Sequence, residues 1–171
     1  MEEINEQTAG FTNFLTHYWS VVQGRTNANC GEAWQKNMES LSHAYLFMFG
    51  AVNWYGRKNG LPVGQILSIF AMFSIQHLDV STQETQRMLD ELIDHIEKSD
   101  AAVDIIIQGQ EAIIEFLDDN LEALDRLATI LKQKLEEADL RQQQDASKIE
   151  TMLLPKQANS LFANNYAKTI H

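Results

Sequence analysis

Residues 100–138 read DAAVDIIIQGQEAIIEFLDDNLEALDRLATILKQKLEEA. Here Val103, Ile107, Gln110, Ile114, Leu117, Leu121, Leu124, Ala128, Leu131, Leu135 and Ala138 alternate spacings of four and three without an error. Such a run lines one face of an α-helix in heptads. Ile106, Ile113 and Leu127 add a third apolar position per heptad, a stripe wide enough to touch two neighbouring helices, which suits a bundle better than a two-stranded rod. Unbroken from Ala101 to Leu140, this helix would be about 60 Å long. Asp118-Asp119-Asn120 offers one place for a break and a new cap. The seam fails at Gln142 and Asp145, where a hinge or splayed turn is expected, resumes at Ile149 and Met152, and ends at Pro155.

Working outward, the chain before this seam carries four further helical patterns. Phe11, Phe14/Leu15, Tyr18 and Val21/Val22 predict a first helix over Thr8–Gln23, ended by the polar stretch Gly24-Arg25-Thr26-Asn27. A second is expected from Asn29 or Cys30 to Tyr55, with Trp34, Met38, Leu41, Tyr45, Met48 and Val52 on one stripe and an all-round apolar segment from Ala44. After the turn Gly56–Gly60, Pro62 suits the first position of a third helix that runs to about Leu78. Ser81 and Glu84 have capping-box spacing for a fourth, which carries Met88, Leu89, Leu92, Ile93 and Ile96 inward. Ser99 or Asp100 caps the fifth. After Pro155 the tail places Ala158, Leu161/Phe162, Tyr166 and Ile170 at helical spacing, suited to docking on the bundle or on a partner. The expected organisation is therefore an all-α bundle of about five main helices over residues 1–154, with an amphipathic tail over 155–171.

The 171 residues include 24 Asp+Glu against 13 Lys+Arg, a net charge of −11, and 44% are hydrophobic, enough for a packed core. The charge is unevenly spread: net −1 over 1–78, −12 over 79–125 and +2 over 126–171. With no basic stripe to neutralise phosphates, nucleic-acid binding is not expected. The acidic segment reads either as a solvated face or as a docking face for a basic protein, with Asp90, Asp94, Asp118 and Asp119 as candidate contacts. Cys30 has no partner for an internal disulfide, and Met1-Glu2-Glu3-Ile4 lacks the layout of a cleavable signal, so synthesis in the cytoplasm is the expectation.

Motifs that name a reaction are missing: there is no Walker A sequence, G-x-G-x-x-G, H-E-x-x-H or G-x-S-x-G. Glu39/His43 and Glu91/His95 each lie four apart, so each pair shares a helix face and offers weak metal ligands; helical di-iron sites use a spacing one residue shorter and two further glutamates. Cys30, expected at the start of the second helix, would there have a lowered thiol pKa but lacks an evident base. No cofactor and no catalytic residue are expected.

These features point to a non-enzymatic helical protein that acts through protein contacts or self-association, with the acidic residues and Leu161, Phe162 and Tyr166 as partner-binding candidates. The apolar hairpin, the terminal heptads and the missing cleavable signal resemble the texture of helical components of bacterial secretion machinery. One alternative is an acidic immunity-type inhibitor that neutralises a basic toxin. Another is a membrane-active protein that inserts the 44–75 hairpin, with Phe47, Phe49, Phe70 and Phe73 entering lipid and Arg57 and Lys58 meeting headgroups. The ten apolar-rich residues Ile66–Ile75 are well short of a bilayer span, which favours a buried core for the same residues.

Overall fold

The computed structural model describes the backbone of residues 2–137, 140–141, 143–145 and 148, with side chains from residue 8 onward except those of 93–95. It forms two units, residues 1–132 and 133–171. The first holds α1 (Glu2–Cys30), α2 (Met38–Lys58), α3 (Val63–His77), α4 (Thr82–Lys98) and α5 (Asp100–Leu117), with 3-10 turns at Ala33–Lys36 and Leu121–Asp125. Helical backbone resumes at residue 126. The all-α architecture is as expected.

Several boundaries differ. Gly24-Arg25-Thr26-Asn27 does not end α1: Thr26 is buried with its hydroxyl on the Val22 carbonyl (2.8 Å), and the helix continues to Cys30. Termination falls to Gly31, whose φ of +73° is left-handed and whose N–H reaches the Asn27 carbonyl at 2.9 Å. Trp34 therefore lies in a 3-10 turn rather than on the stripe of α2, although it is still buried. Asn37 caps α2 by accepting from the Ser40 N–H at 3.0 Å.

α2 is the centre of the unit. Its residues Ala44–Val52 are buried without exception, as an all-round apolar helix requires. The turn after it closes as a Schellman motif: Gly60, φ +73°, donates to Arg57, and Leu61 donates to Gly56. Pro62 is the cap preceding α3 rather than its first residue. Ile66, Ile69, Phe70 and Phe73 of α3 then join the core. Ser81 accepts from the Glu84 N–H (3.1 Å) and Ser99 from the Ala102 N–H (3.2 Å), so both expected caps form. In α4, Leu92 is buried, Met88 and Leu89 are half-buried, and Ile96 is exposed, contrary to its expected inward position.

The long seam is interrupted. α5 stops at Leu117 in a second Schellman arrangement, with Asp119 (φ +62°) donating to Phe116 and Asn120 donating to Glu115. Asn120 caps the following 3-10 turn through the Glu122 N–H at 3.1 Å. Beyond the turn, Leu124, Leu127, Ala128 and Leu131 are buried. The hinge expected at Arg141–Asp145 does not form at its described residues, since 141 and 143–145 are helical. Lys134 pairs with Glu137 at 2.9 Å within the second unit. Among the described residues no helix is long and apolar enough to cross a membrane.

Candidate interaction surface

α5 has two apolar faces, and the heptad seam is not the one in the core. The buried line is Ala102, Ile105, Gly109, Ala112 and Ile113, with Phe116 packed against its end. This line is inward because α5 crosses α2 backbone to backbone. A Cβ on Gly109 would overlap the Phe47 carbonyl, and one on Gly50 would overlap the Ile106 carbonyl. The helix can come that close only on its small-residue face, so the heptad positions turn away. Ile107 is 44% exposed and Leu117 37%, with Gln110 and Ile114 half-buried between them and Val103 half-buried one turn before Ile107.

Alongside this outward line runs an acidic one. Asp100, Asp104, Glu111 and Asp118 are all exposed, at spacings of four, seven and seven, and α5 contains no basic residue. Its C-terminus, where the helix dipole favours cations, instead carries Glu115, Asp118 and Asp119. Arg126 offsets part of this by pairing with Glu111 and Glu115. The arrangement is an apolar ridge edged by carboxylates.

The other acidic candidates are more ordinary surface groups. Asp90 accepts from Gln86 at 2.9 Å on α4, and Glu84 and Glu91 flank Arg87 at 3.0 and 3.4 Å. Asp118 and Asp119 form the turn that ends α5. The side chains of Asp94 and His95, and the tail residues Leu161, Phe162 and Tyr166, lie outside the described residues.

The hairpin candidates are core: Phe47, Phe49, Phe70 and Phe73 are all buried, with Phe49 edge-on to Phe70 at 5.3 Å. At its end Arg57 donates to Asn53 (3.2 Å) and Lys58 lies over the Trp54 ring at 4.7 Å. Of the metal candidates, His43 places Nδ1 2.6 Å from the Glu39 backbone carbonyl, and Glu91 faces Arg87. Among the described residues no group of three or more His, Cys, Asp or Glu side chains is arranged to hold an ion. Cys30 ends α1 rather than beginning a helix. Its Sγ donates to the Ala128 carbonyl at 3.4 Å, and burial pushes the thiol pKa up, opposite to the expected direction.

Sequence reading missed the pair that ties α1 to the turn after α5. Arg25 grips Asp125 with both ends of its fork, Nε to Oδ1 at 2.8 Å and Nη2 to Oδ2 at 2.5 Å, and Asn29 adds a longer bond of 3.3 Å. The guanidinium holds the Asp125 carboxyl below its usual pKa. Residues 100 apart in sequence leave no local trace of such a contact. Compared with protein-family models, curated proteins and solved structures, the chain shows no significant match to any of them.

Proposed function

We propose that this is a non-enzymatic interaction protein that receives a basic amphipathic helix of another protein on the outward face of α5. The observation that carries the reading is the exposed heptad line at Ile107 and Leu117, edged by Asp100, Asp104, Glu111 and Asp118. A helix laid along such a ridge anchors through residues at i, i+3, i+4 and i+7. Complementary charge fixes its register and speeds its approach. Two copies of α5 packed together would set carboxylates beside carboxylates, which favours a heterologous partner over self-association. A basic toxin and a basic subunit of a larger assembly both fit this description.

The test uses a designed helical peptide of leucine and lysine and its leucine–glutamate counterpart, titrated into the full chain at low and high salt. Ile107→Asp is the decisive variant because it adds negative charge while breaking the apolar line. The expected result is binding of the lysine peptide weakened at least tenfold by Ile107→Asp, with no binding of the glutamate peptide. Equal or tighter binding to Ile107→Asp would reduce the effect to bulk charge attraction and overturn the proposal. A dimer of the chain alone that Ile107→Asp dissolves would assign the face to a second copy instead.

A further inference from the structure

Charge is missing from one side of a strongly charged chain. Against a net charge of −11, no Asp, Glu, Lys or Arg lies between Glu6 and Arg25 in α1, nor between Lys58 and Asp79 around α3. Among α1 to α5, only α3 has no such residue at all. The fold sets these two segments side by side. Gln65 of α3 donates to Thr8 Oγ1 at 2.7 Å, Thr16 Oγ1 lies 3.4 Å from His77 Nε2, and Trp19 stands edge-on to Phe73 at 5.8 Å. Two stretches far apart in sequence thus make one uncharged face.

That face also exposes apolar side chains. Along α3, Gly64, Ser68, Met72 and Ile75 recur at spacings of four, four and three and are all exposed, Met72 at 48% and Ile75 at 38%. Leu67 and Ala71 run beside them, half-buried. Between the two helices is a notch of about 80 Å³ lined by Thr12, Leu15, Ile69, Phe73 and Gln76, with Met72 at its edge. A projecting side chain next to a notch is what a two-fold contact requires, since each copy then offers the other both halves of the fit.

Charge decides which occupant suits the face. The cores of protein interfaces are depleted of charged residues and enriched in methionine. Two copies of a chain at −11 repel through their acidic surfaces, and they meet at least cost where neither carries a charge. A lipid surface fits less well, because Thr16, Ser68 and Gln76 are exposed among the apolar residues and neither segment supplies a Lys or Arg to meet headgroups. We propose that the uncharged face of α1 and α3 joins two copies of this chain in a two-fold dimer, with Met72 of each copy in the notch of the other. The face contains no residue of α5, so the dimer presents two copies of the acidic ridge to a helical partner.

Sedimentation equilibrium of the full chain at low and high salt tests this. Ser68→Lys puts a charge on the face, and Gln83→Lys puts the same charge on an exposed position of α4. Expected is a reversible dimer that high salt strengthens by screening like-charge repulsion, the opposite of the salt response of a lysine peptide on α5. Ser68→Lys should raise the dissociation constant at least tenfold and Met72→Ala severalfold. Gln83→Lys, which lowers the net negative charge equally, should leave it unchanged or lower, and Ile107→Asp should leave it within twofold at high salt. A monomer up to several hundred micromolar in high salt overturns the proposal, as does equal weakening by Ser68→Lys and Gln83→Lys, or dissociation by Ile107→Asp instead. Binding of a monomeric chain to phosphatidylcholine vesicles, lost in Ser68→Lys, would assign the face to lipid. Circular dichroism establishes that the variants are folded.

Discussion

Gly50 of α2 and Gly109 of α5 meet at a crossing where neither residue has room for a side chain. The Ile106 carbonyl occupies the space of a Cβ on Gly50, and the Phe47 carbonyl that of a Cβ on Gly109. Among the described elements, the contact between α2 and α5 is the most extensive. Because the two backbones touch, α5 is rotated so that its small residues face inward and its heptad leucine and isoleucines face out. One packing decision thus produces both the core and the proposed docking face.

Gly109→Ala must push the helices apart. We expect a loss of about 3 kcal/mol or more, at the upper end of overpacking effects, read as a lower urea midpoint. Gly24→Ala is the matched control, since it lies in α1 with nothing within 4 Å of its Cβ. Replacing an open helical glycine should raise stability by about 0.5–1 kcal/mol. A loss at Gly24 as large as that at Gly109 would mean that the close crossing is not what sets the cost at Gly109.

What the sequence made legible follows from what leaves a local signal. The buried centre of α2 and the caps at Ser81 and Ser99 are each encoded within a few residues, and each forms, whereas the turn expected at Gly56–Gly60 shrinks to Asn59 and Gly60 because α2 runs on to Lys58. The end of α1 was misread because Gly24 and its polar neighbours look like a loop; in the folded chain Thr26 satisfies itself on Val22, and Arg25 finds Asp125 across the bundle. The inner face of α5 was misread because heptad periodicity scores large apolar residues. Here contact distance is set by glycine and alanine, which carry little hydrophobic weight. The candidate surface was thus half visible: its acidity could be counted, but its apolar ridge looked like core.

Among the described residues the hydroxyl of the fully buried Tyr18 meets no hydrogen-bond partner, and burial drives its pKa upward. Its ring packs edge-on to Phe116 at 5.2 Å, a contact that phenylalanine keeps. Removing an unpaired buried hydroxyl without losing the ring should stabilise by about 1 kcal/mol. Thermal or urea unfolding of Tyr18→Phe checks this, and a clear loss would reveal that the hydroxyl is bonded after all.

His77 links stability to pH. Its folded pKa is lowered by burial, so the unfolded chain binds the proton more tightly. The contribution is complete above the unfolded value of about 6.5 and is lost as pH falls from there toward the folded value. The urea midpoint should therefore drop between pH 7.5 and 5.5 more steeply in the wild type than in His77→Gln. Parallel curves for the two proteins would remove His77 from the account.

Asp119 ends α5 in a left-handed conformation, φ +62°, where glycine is the usual occupant. Two costs coincide there. The backbone strain of an L-residue is on the order of 1 kcal/mol, somewhat less for aspartate, and a carboxylate at a helix C-terminus opposes the dipole by a few tenths. Asp119→Gly relieves both and should stabilise by about 0.5–1 kcal/mol after its own entropic cost, whereas Asp119→Asn relieves only the charge and should gain less. The two variants separate strain from electrostatics. They also bear on function, because a cationic partner helix would draw on the same negative potential. If the face works as proposed, both variants should bind the lysine peptide slightly more weakly than wild type, with a shallower salt dependence, while becoming more stable. A gain in stability with binding and its salt dependence unchanged would place the peptide away from this end of α5.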